Sequence, residues 1–204
     1  EPTATTAADA VEQPTAPPAP LYTEALGLAE KVAAGQLPPV EERLPANPLV
    51  VESAEVGKYG GVWRMGMRGG TDDPSFYRIL GYETLVRWSP SWDTIIPSLA
   101  ESWEVSADAT EYTFALRKGV KWSDGVEFTA NDLLFWYEDV IMNPELTRSI
   151  PGWLTSGGET VKFEKIDDYT IKFTFAKPNG LFLQNLASPD SRSLTNVPKH
   201  FAVQ

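Results

Sequence analysis

The chain has no cysteine and one histidine among its 204 residues. Without cysteine it can form no disulfide, no zinc–thiolate centre and no thiol nucleophile. With no cysteine and no second histidine, no histidine-based triad or pair is assigned, and after Pro198-Lys199 His200 reads as a helix-entry residue. Positive charge is also scarce: 17 Lys and Arg against 28 Asp and Glu give a formal net charge of −11. That balance argues against nucleic acid or an anionic membrane surface as a partner, since both select basic surfaces. No apolar run approaches the roughly 20 residues that span a bilayer. The acidic pairs Glu41/Glu42, Asp72/Asp73 and Asp167/Asp168 are sequence neighbours in turns or linkers, and neighbours do not converge on one reacting bond. The Asp124-Gly125 turn lacks the alternating acidic ladder of a calcium loop. Gly60-Gly61 and Gly69-Gly70 belong to no phosphate-cradling motif, and the second pair runs into Asp72-Asp73-Pro74. The residues supply no catalytic set, no metal site and no cofactor motif.

What is present is a core-forming composition. Hydrophobic residues make up 42% of the chain and aromatics 11%, with seven tryptophans. Residues 1–20 are the exception: Thr, Ala and Pro dominate, and so little apolar surface reads as a disordered tether. Residues 21–56 read as a short helix followed by an extended Pro-rich stretch. Leu21, Ala25, Leu28 and Val32 share a face, and Gly35 stands where a helix stops. Residues 62–67 read as a strand with Trp63, Met65 and Met67 on one side, then a polar loop. A helix is expected from residue 76 through Tyr77, Leu80 and Leu85.

The rest of the chain alternates hairpins and helices. Tyr112, Phe114 and Leu116 alternate with Thr113, Ala115 and Arg117, the period of a strand with one buried face. That strand pairs with residues 103–106 across Asp108-Ala109-Thr110. Thr129 followed by Asp132 predicts a capping box, opening a helix whose Leu133, Tyr137, Val140 and Ile141 share a face. Residues 145–160 read as irregular. A second hairpin joins residues 161–166 to 169–175, and Asn179 is placed as the cap of a helix over 180–187. Strands and helices in mixed order with antiparallel hairpins give an α+β (mixed α/β) class. Trp63, Trp103, Trp122 and Trp136 are assigned to the core; Trp88, Trp92 and Trp153, in irregular segments, to a groove.

One block is more specific than any of these patterns. It runs Pro97-Ser98-Leu99-Ala100-Glu101-Ser102-Trp103, then Tyr112 to Leu116, Arg117-Lys118-Gly119-Val120-Lys121-Trp122-Ser123-Asp124-Gly125, and Thr129-Ala130-Asn131-Asp132. Residues 166–173 and Val197-Pro198-Lys199-His200 continue it. With these residues at these spacings the chain resembles the family-5 extracellular solute-binding proteins, the oligopeptide/dipeptide receptors of bacterial ABC importers. The resemblance runs from about Gly57 to the end.

The resemblance implies the N-terminal part of a two-lobed periplasmic-binding-protein type II fold. Residues 57–71 would be the first strand and cleft loop of the main lobe. Residues 72–190 would form the family's small α+β domain, and residues 191–204 would return to the main lobe, with the second lobe beyond Gln204. It also implies a monomeric, non-enzymatic receptor outside the cytoplasm, periplasmic or lipid-tethered through residues 1–20. Such a receptor captures a peptide and hands it to an ABC permease in the membrane. An oligosaccharide ligand is the alternative inside the family, and a secreted hydrolase the alternative outside it. The ligand contacts implied are Met67, Arg68, Gly69, Gly70 and Thr71, the loop at the cleft border, with the groove tryptophan Trp153 beside them.

Overall fold

The computed structural model describes residues 22–51, 55, 57–58, 60–72, 76 and 83–204. The expected tether, Leu21, and Tyr77 and Leu80 of the helix expected after residue 76 lie outside these. The chain divides into two compact units, Glu1–Glu41 and Glu42–Gln204. In the first, helix α1 spans Leu26–Ala33. Ala25, Leu28 and Val32 form its less exposed face, as their spacing predicts. Gly35, at φ 68°, turns the chain so that the Gln36 N–H donates back to the Lys31 carbonyl at 2.8 Å. A one-turn helix, α2, spans Val40–Arg43.

The second unit is built on a four-stranded antiparallel sheet. Its strands are β3 (Ala100–Val105), β4 (Glu111–Leu116), β7 (Lys162–Asp167) and β8 (Thr170–Thr174), in the order β3-β4-β8-β7. Both expected hairpins are present, and they join through β4 and β8, with Tyr112 opposite Phe173 and Phe114 opposite Ile171. Two further hairpins are short: β1 (Val86–Trp88) with β2 (Ile95–Pro97), and β5 (Thr155–Ser156) with β6 (Glu159–Thr160). Residues 83–85 are not helical and Val86 opens β1, so the helix expected through Leu85 does not reach it. A three-residue strand within reach of Ile95 and Ile96 wins over a helical period too short to be decisive. The β5–β6 turn is Gly157-Gly158, both at positive φ, so part of the stretch read as irregular is a tight hairpin.

One face of the sheet carries the core. Tyr112, Phe114, Leu116, Ile171, Phe173 and Phe175 are all buried and join Leu133 and Trp136 in one cluster, with Tyr137 and Val140 packed against it. Helix α3 (Ala130–Phe135) continues as a π-helical segment, Trp136–Ile141, and ends before Pro144. Helix α4 (Phe182–Leu186) drives Phe182 into the middle of the cluster, where the rings of Tyr112, Phe173 and Phe175 meet it edge-on at 4.8–5.0 Å. The two core tyrosines keep their hydroxyls satisfied. Tyr112 donates to the Asn179 carbonyl and Tyr137 to the Val161 carbonyl, each at 2.6 Å. Asn179 is not the side-chain cap of α4. The helix starts at Phe182, whose N–H is taken by the Asn179 backbone carbonyl, while the Asn179 amide donates to the Trp153 carbonyl. The last helix, α5, spans Lys199–Ala202 after Pro198.

Candidate functional site

Met67, Arg68, Gly69, Gly70 and Thr71 are exposed. Residues 62–67 form no strand, in contrast to the pattern read from Trp63, Met65 and Met67. Period-2 alternation makes a strand only where a second backbone accepts its hydrogen bonds, and no described strand pairs here. Trp63, assigned to the core, is 70% exposed for the same reason. The loop itself has a definite turn. The Arg68 N–H donates to Asp72 Oδ2 at 2.6 Å and closes a single 3₁₀ turn over Gly70–Asp72. The Arg68 backbone is thus held by the carboxylate four residues on.

Trp153 sits in a 3₁₀ turn, Gly152–Leu154, leading into β5. Its ring stacks on Trp136 (6.1 Å, 13° between planes) and on Phe182 (6.1 Å, 26°). It is half-buried against the core, so the structure gives it a packing role that its Pro151-Gly152 setting did not signal.

The motif residues turn out to be joints between distant segments. The capping box is present: the Thr129 hydroxyl accepts from the Asn131 N–H and Asp132 Oδ2 accepts from the Thr129 N–H at 3.0 Å. Asp132 is only 6% exposed, and its other oxygen, Oδ1, accepts the Lys199 N–H at 2.9 Å. One carboxylate therefore caps α3 and holds the start of α5. Beside it, His200 Nε2 donates to Asp124 Oδ2 at 2.6 Å, which holds the Asp124 carboxyl below the usual carboxylate range. The arginine that ends the β4 pattern is buried. Arg117 Nε donates to the Ser98 carbonyl at 3.1 Å, and its Nη1 donates to the Asn47 carbonyl, pinning the Pro-rich stretch to the sheet. Gly119, at φ 80°, lets that stretch pass close by: a Cβ there would lie 3.4 Å from Pro45 and Ala46 backbone atoms. Sequence reading found the capping box but not the contacts of Asp132 with Lys199, of His200 with Asp124 or of Arg117 with Ser98 and Asn47, because those partners are remote in the chain.

A concavity lies at the tip of the β1–β2 hairpin, where the irregular setting of Trp88 and Trp92 assigns them to a groove. It is a groove of about 760 Å³ with apolar walls from Leu49, Val50, Ile96 and Pro97, and a polar end at Ser89, Ser91, Asp93 and Thr94. A smaller groove continues it past Trp88 and Trp92. Trp92 is 69% exposed and has φ 61°, a left-handed backbone that a bulky side chain rarely adopts and that costs on the order of 1–3 kcal/mol. Its ring stacks on Trp88 at 6.3 Å. The turn is held from within: the Ser89 N–H donates to the Thr94 carbonyl, the Trp92 N–H to the Ser89 carbonyl, and the Ser89, Ser91 and Thr94 hydroxyls all donate to Asp93 Oδ1. These bonds, that from Ser89 first, keep the Asp93 carboxyl below its ordinary range. The arrangement offers apolar surface, an aromatic ring and a hydrogen-bonded carboxylate. Among the described residues no group of three or more His, Asp or Glu could hold a metal ion.

Comparison with known proteins agrees with the geometry of the block. The model of the bacterial extracellular solute-binding proteins, family 5 Middle, matches residues 94–200. The chain is 35% identical over 175 residues to a periplasmic alpha-galactoside-binding protein of Rhizobium meliloti, covering 76% of this chain and 25% of that one. It is 36% identical over 124 residues to the dipeptide-binding protein of Escherichia coli, covering 52% and 22%. Among solved structures, the oligopeptide-binding protein OppA superimposes with a TM-score of 0.76 at 43% identity, over 88% of this chain and 28% of that one. The chain thus spans about a quarter of the length of the relatives it matches. Those neighbours are two-lobed periplasmic binding proteins, and the part covered here is mixed helix and antiparallel sheet. On the matched block and on the joints it builds, the chain belongs to the bacterial extracellular solute-binding proteins, family 5.

Proposed function

We propose that the protein containing this chain is the substrate-binding component of an ABC-type importer, capturing oligopeptides or dipeptides outside the cytoplasm and passing them to a membrane permease. The observation that carries this reading is the family match over residues 94–200, joined to an OppA likeness that extends over most of the chain. Capture would be reversible and driven by hinge closure of two lobes, with no bond made or broken. Extended peptides suit such a cleft because main-chain hydrogen bonds supply affinity while roomy pockets tolerate different side chains. In this chain the cleft contacts are Met67, Arg68, Gly69, Gly70 and Thr71, on a turn whose Arg68 backbone is already fixed by Asp72. Trp153 contributes the edge of its ring, since its faces are engaged with Trp136 and Phe182. The receptor works as a monomer, tethered or free outside the membrane, without cofactor and without nucleic acid.

A second reading has its own support. The galactoside-binding relative covers more of this chain than the dipeptide-binding one does, which favours an oligosaccharide in the same cleft.

Native mass spectrometry of the full-length protein, purified without denaturation, identifies what it carries. Calorimetry then compares di- to pentapeptides with raffinose. Peptide binding is expected, with Arg68→Ala weakening it about tenfold, or about 1.4 kcal/mol. The melting temperature should stay nearly constant, because the Arg68 side chain packs no core. Binding of raffinose alone would transfer the reading to sugars. Turnover of either ligand would overturn the receptor reading altogether.

A further inference from the structure

We propose that the tip of the β1–β2 hairpin is a carbohydrate-binding site, in which the outer face of Trp92 stacks on a neutral pyranose ring and Asp93 accepts its hydroxyls. The site lies within this chain and does not depend on what the interlobe cleft takes.

Three observations converge there. The first is the aromatic platform. Trp92 is held outward by a left-handed backbone, with one face against Trp88 and most of the ring open to solvent. The C–H face of a pyranose is apolar and slightly positive, and it pairs with the negative face of an indole. The second is the carboxylate beside it. Ser89, Ser91 and Thr94 all bond Asp93 Oδ1, and none of the hydrogen bonds among the described residues ends on Oδ2. The carboxyl is thus oriented through Oδ1, and Oδ2 takes no side-chain hydrogen bond from the described residues. An ionised carboxylate accepts hydrogen bonds and donates none, so it suits vicinal hydroxyls. Its ionisation at neutral pH is favoured by the same serine bonds that orient it.

The third observation is the concavity. The grooves on either side of Ser89-Pro90 meet at this turn and share Val51, Ser89, Pro90 and Ile96, so a chain of sugars can lie past the platform instead of touching it at one point. A peptide finds less here. The groove end displays hydroxyls and a carboxylate, and the backbone groups of the turn at Ser89, Trp92 and Thr94 bond one another. An anionic sugar would meet Asp93 with like charge, which is why the ligand is neutral.

The test uses the chain as it stands and reads the seven indole N–H signals by ¹H–¹⁵N NMR, each assigned by substitution. The probes are raffinose, maltotriose and cellotriose, with trialanine as the peptide control. At least one trisaccharide should shift the Trp92 and Trp88 signals saturably, with a dissociation constant of about 1 mM as one exposed platform permits. Trp92→Ala should abolish the shift, and the remaining indole signals report that the fold is intact. Asp93→Asn keeps an oxygen for the serine and threonine hydroxyls and loses the charge; it should weaken binding about tenfold. The proposal is overturned if no sugar shifts the Trp92 signal, if trialanine shifts it as strongly, or if either variant binds like the parent.

Discussion

Asp132 offers the sharpest test of how this domain is tied together. Its carboxylate accepts from the Thr129 N–H with one oxygen and from the Lys199 N–H with the other, at 3.0 and 2.9 Å, and it is 6% exposed. Asp132→Ala removes both acceptors and strands two backbone donors in a place water reaches poorly. Loss of the capping box alone costs about 1 kcal/mol. The bond to Lys199 is charge-assisted and spans two helices, and bonds to charged groups contribute about 1.5–3 kcal/mol. The sum is a loss of about 3 kcal/mol. Asp132→Asn separates the parts, because its amide oxygen can serve only one N–H while its NH₂ faces the other; about half the loss is expected. Urea unfolding followed by tryptophan fluorescence reads the total. Amide exchange reads the site: α5 should lose protection in both variants while β4 and β8 keep theirs in the folded state. A loss below about 1 kcal/mol for Asp132→Ala, or unchanged protection at α5, would refute the reasoning that one carboxylate joins the two helices.

Three further outcomes are expected. Phe114→Ala should cost about 3–5 kcal/mol in denaturant unfolding, because Phe114 is fully buried with its ring against Phe173 and Phe182. Gly157→Ala should cost about 1–2 kcal/mol in thermal unfolding, since φ 65° penalises any Cβ and the new atom would lie 2.8 Å from the Lys177 side chain, which can yield. Acid should destabilise the fold from about pH 4 downward. Asp93, Asp108, Asp124, Asp167 and Asp168 all titrate below the ordinary carboxylate value through hydrogen bonds made by their ionised forms. Their contribution is present above the unfolded pKa and lost as pH falls through the lower folded ones. Circular dichroism between pH 2 and pH 7 checks this, and stability that rises on acidification would reverse the sign.

Local grammar was legible in the residues. The alternation of Tyr112, Phe114 and Leu116 and of Ile171, Phe173 and Phe175 marked two strands and their buried faces, because side-chain direction in a strand depends on parity alone. Thr129 and Asp132 marked the start of α3, because a capping box closes within four residues. The spacing of the motif block carried the family. Wherever the deciding partner lay far along the chain, the residues were silent. Asp132 looked like half of a cap until Lys199 arrived at its other oxygen, and Arg117 looked like the polar end of a strand until Ser98 and Asn47 closed around it. Trp63, expected in the core, is exposed, and Trp153, expected at a groove, is half-buried and stacked on Trp136 and Phe182, since burial depends on which surfaces meet and not on the strand or loop pattern around a ring. The groove at Trp92 was anticipated from its irregular setting, but its walls and polar end came from tertiary structure. Its walls come from residues 49–51 and 89–97, and three hydroxyls converge on one oxygen of Asp93 there.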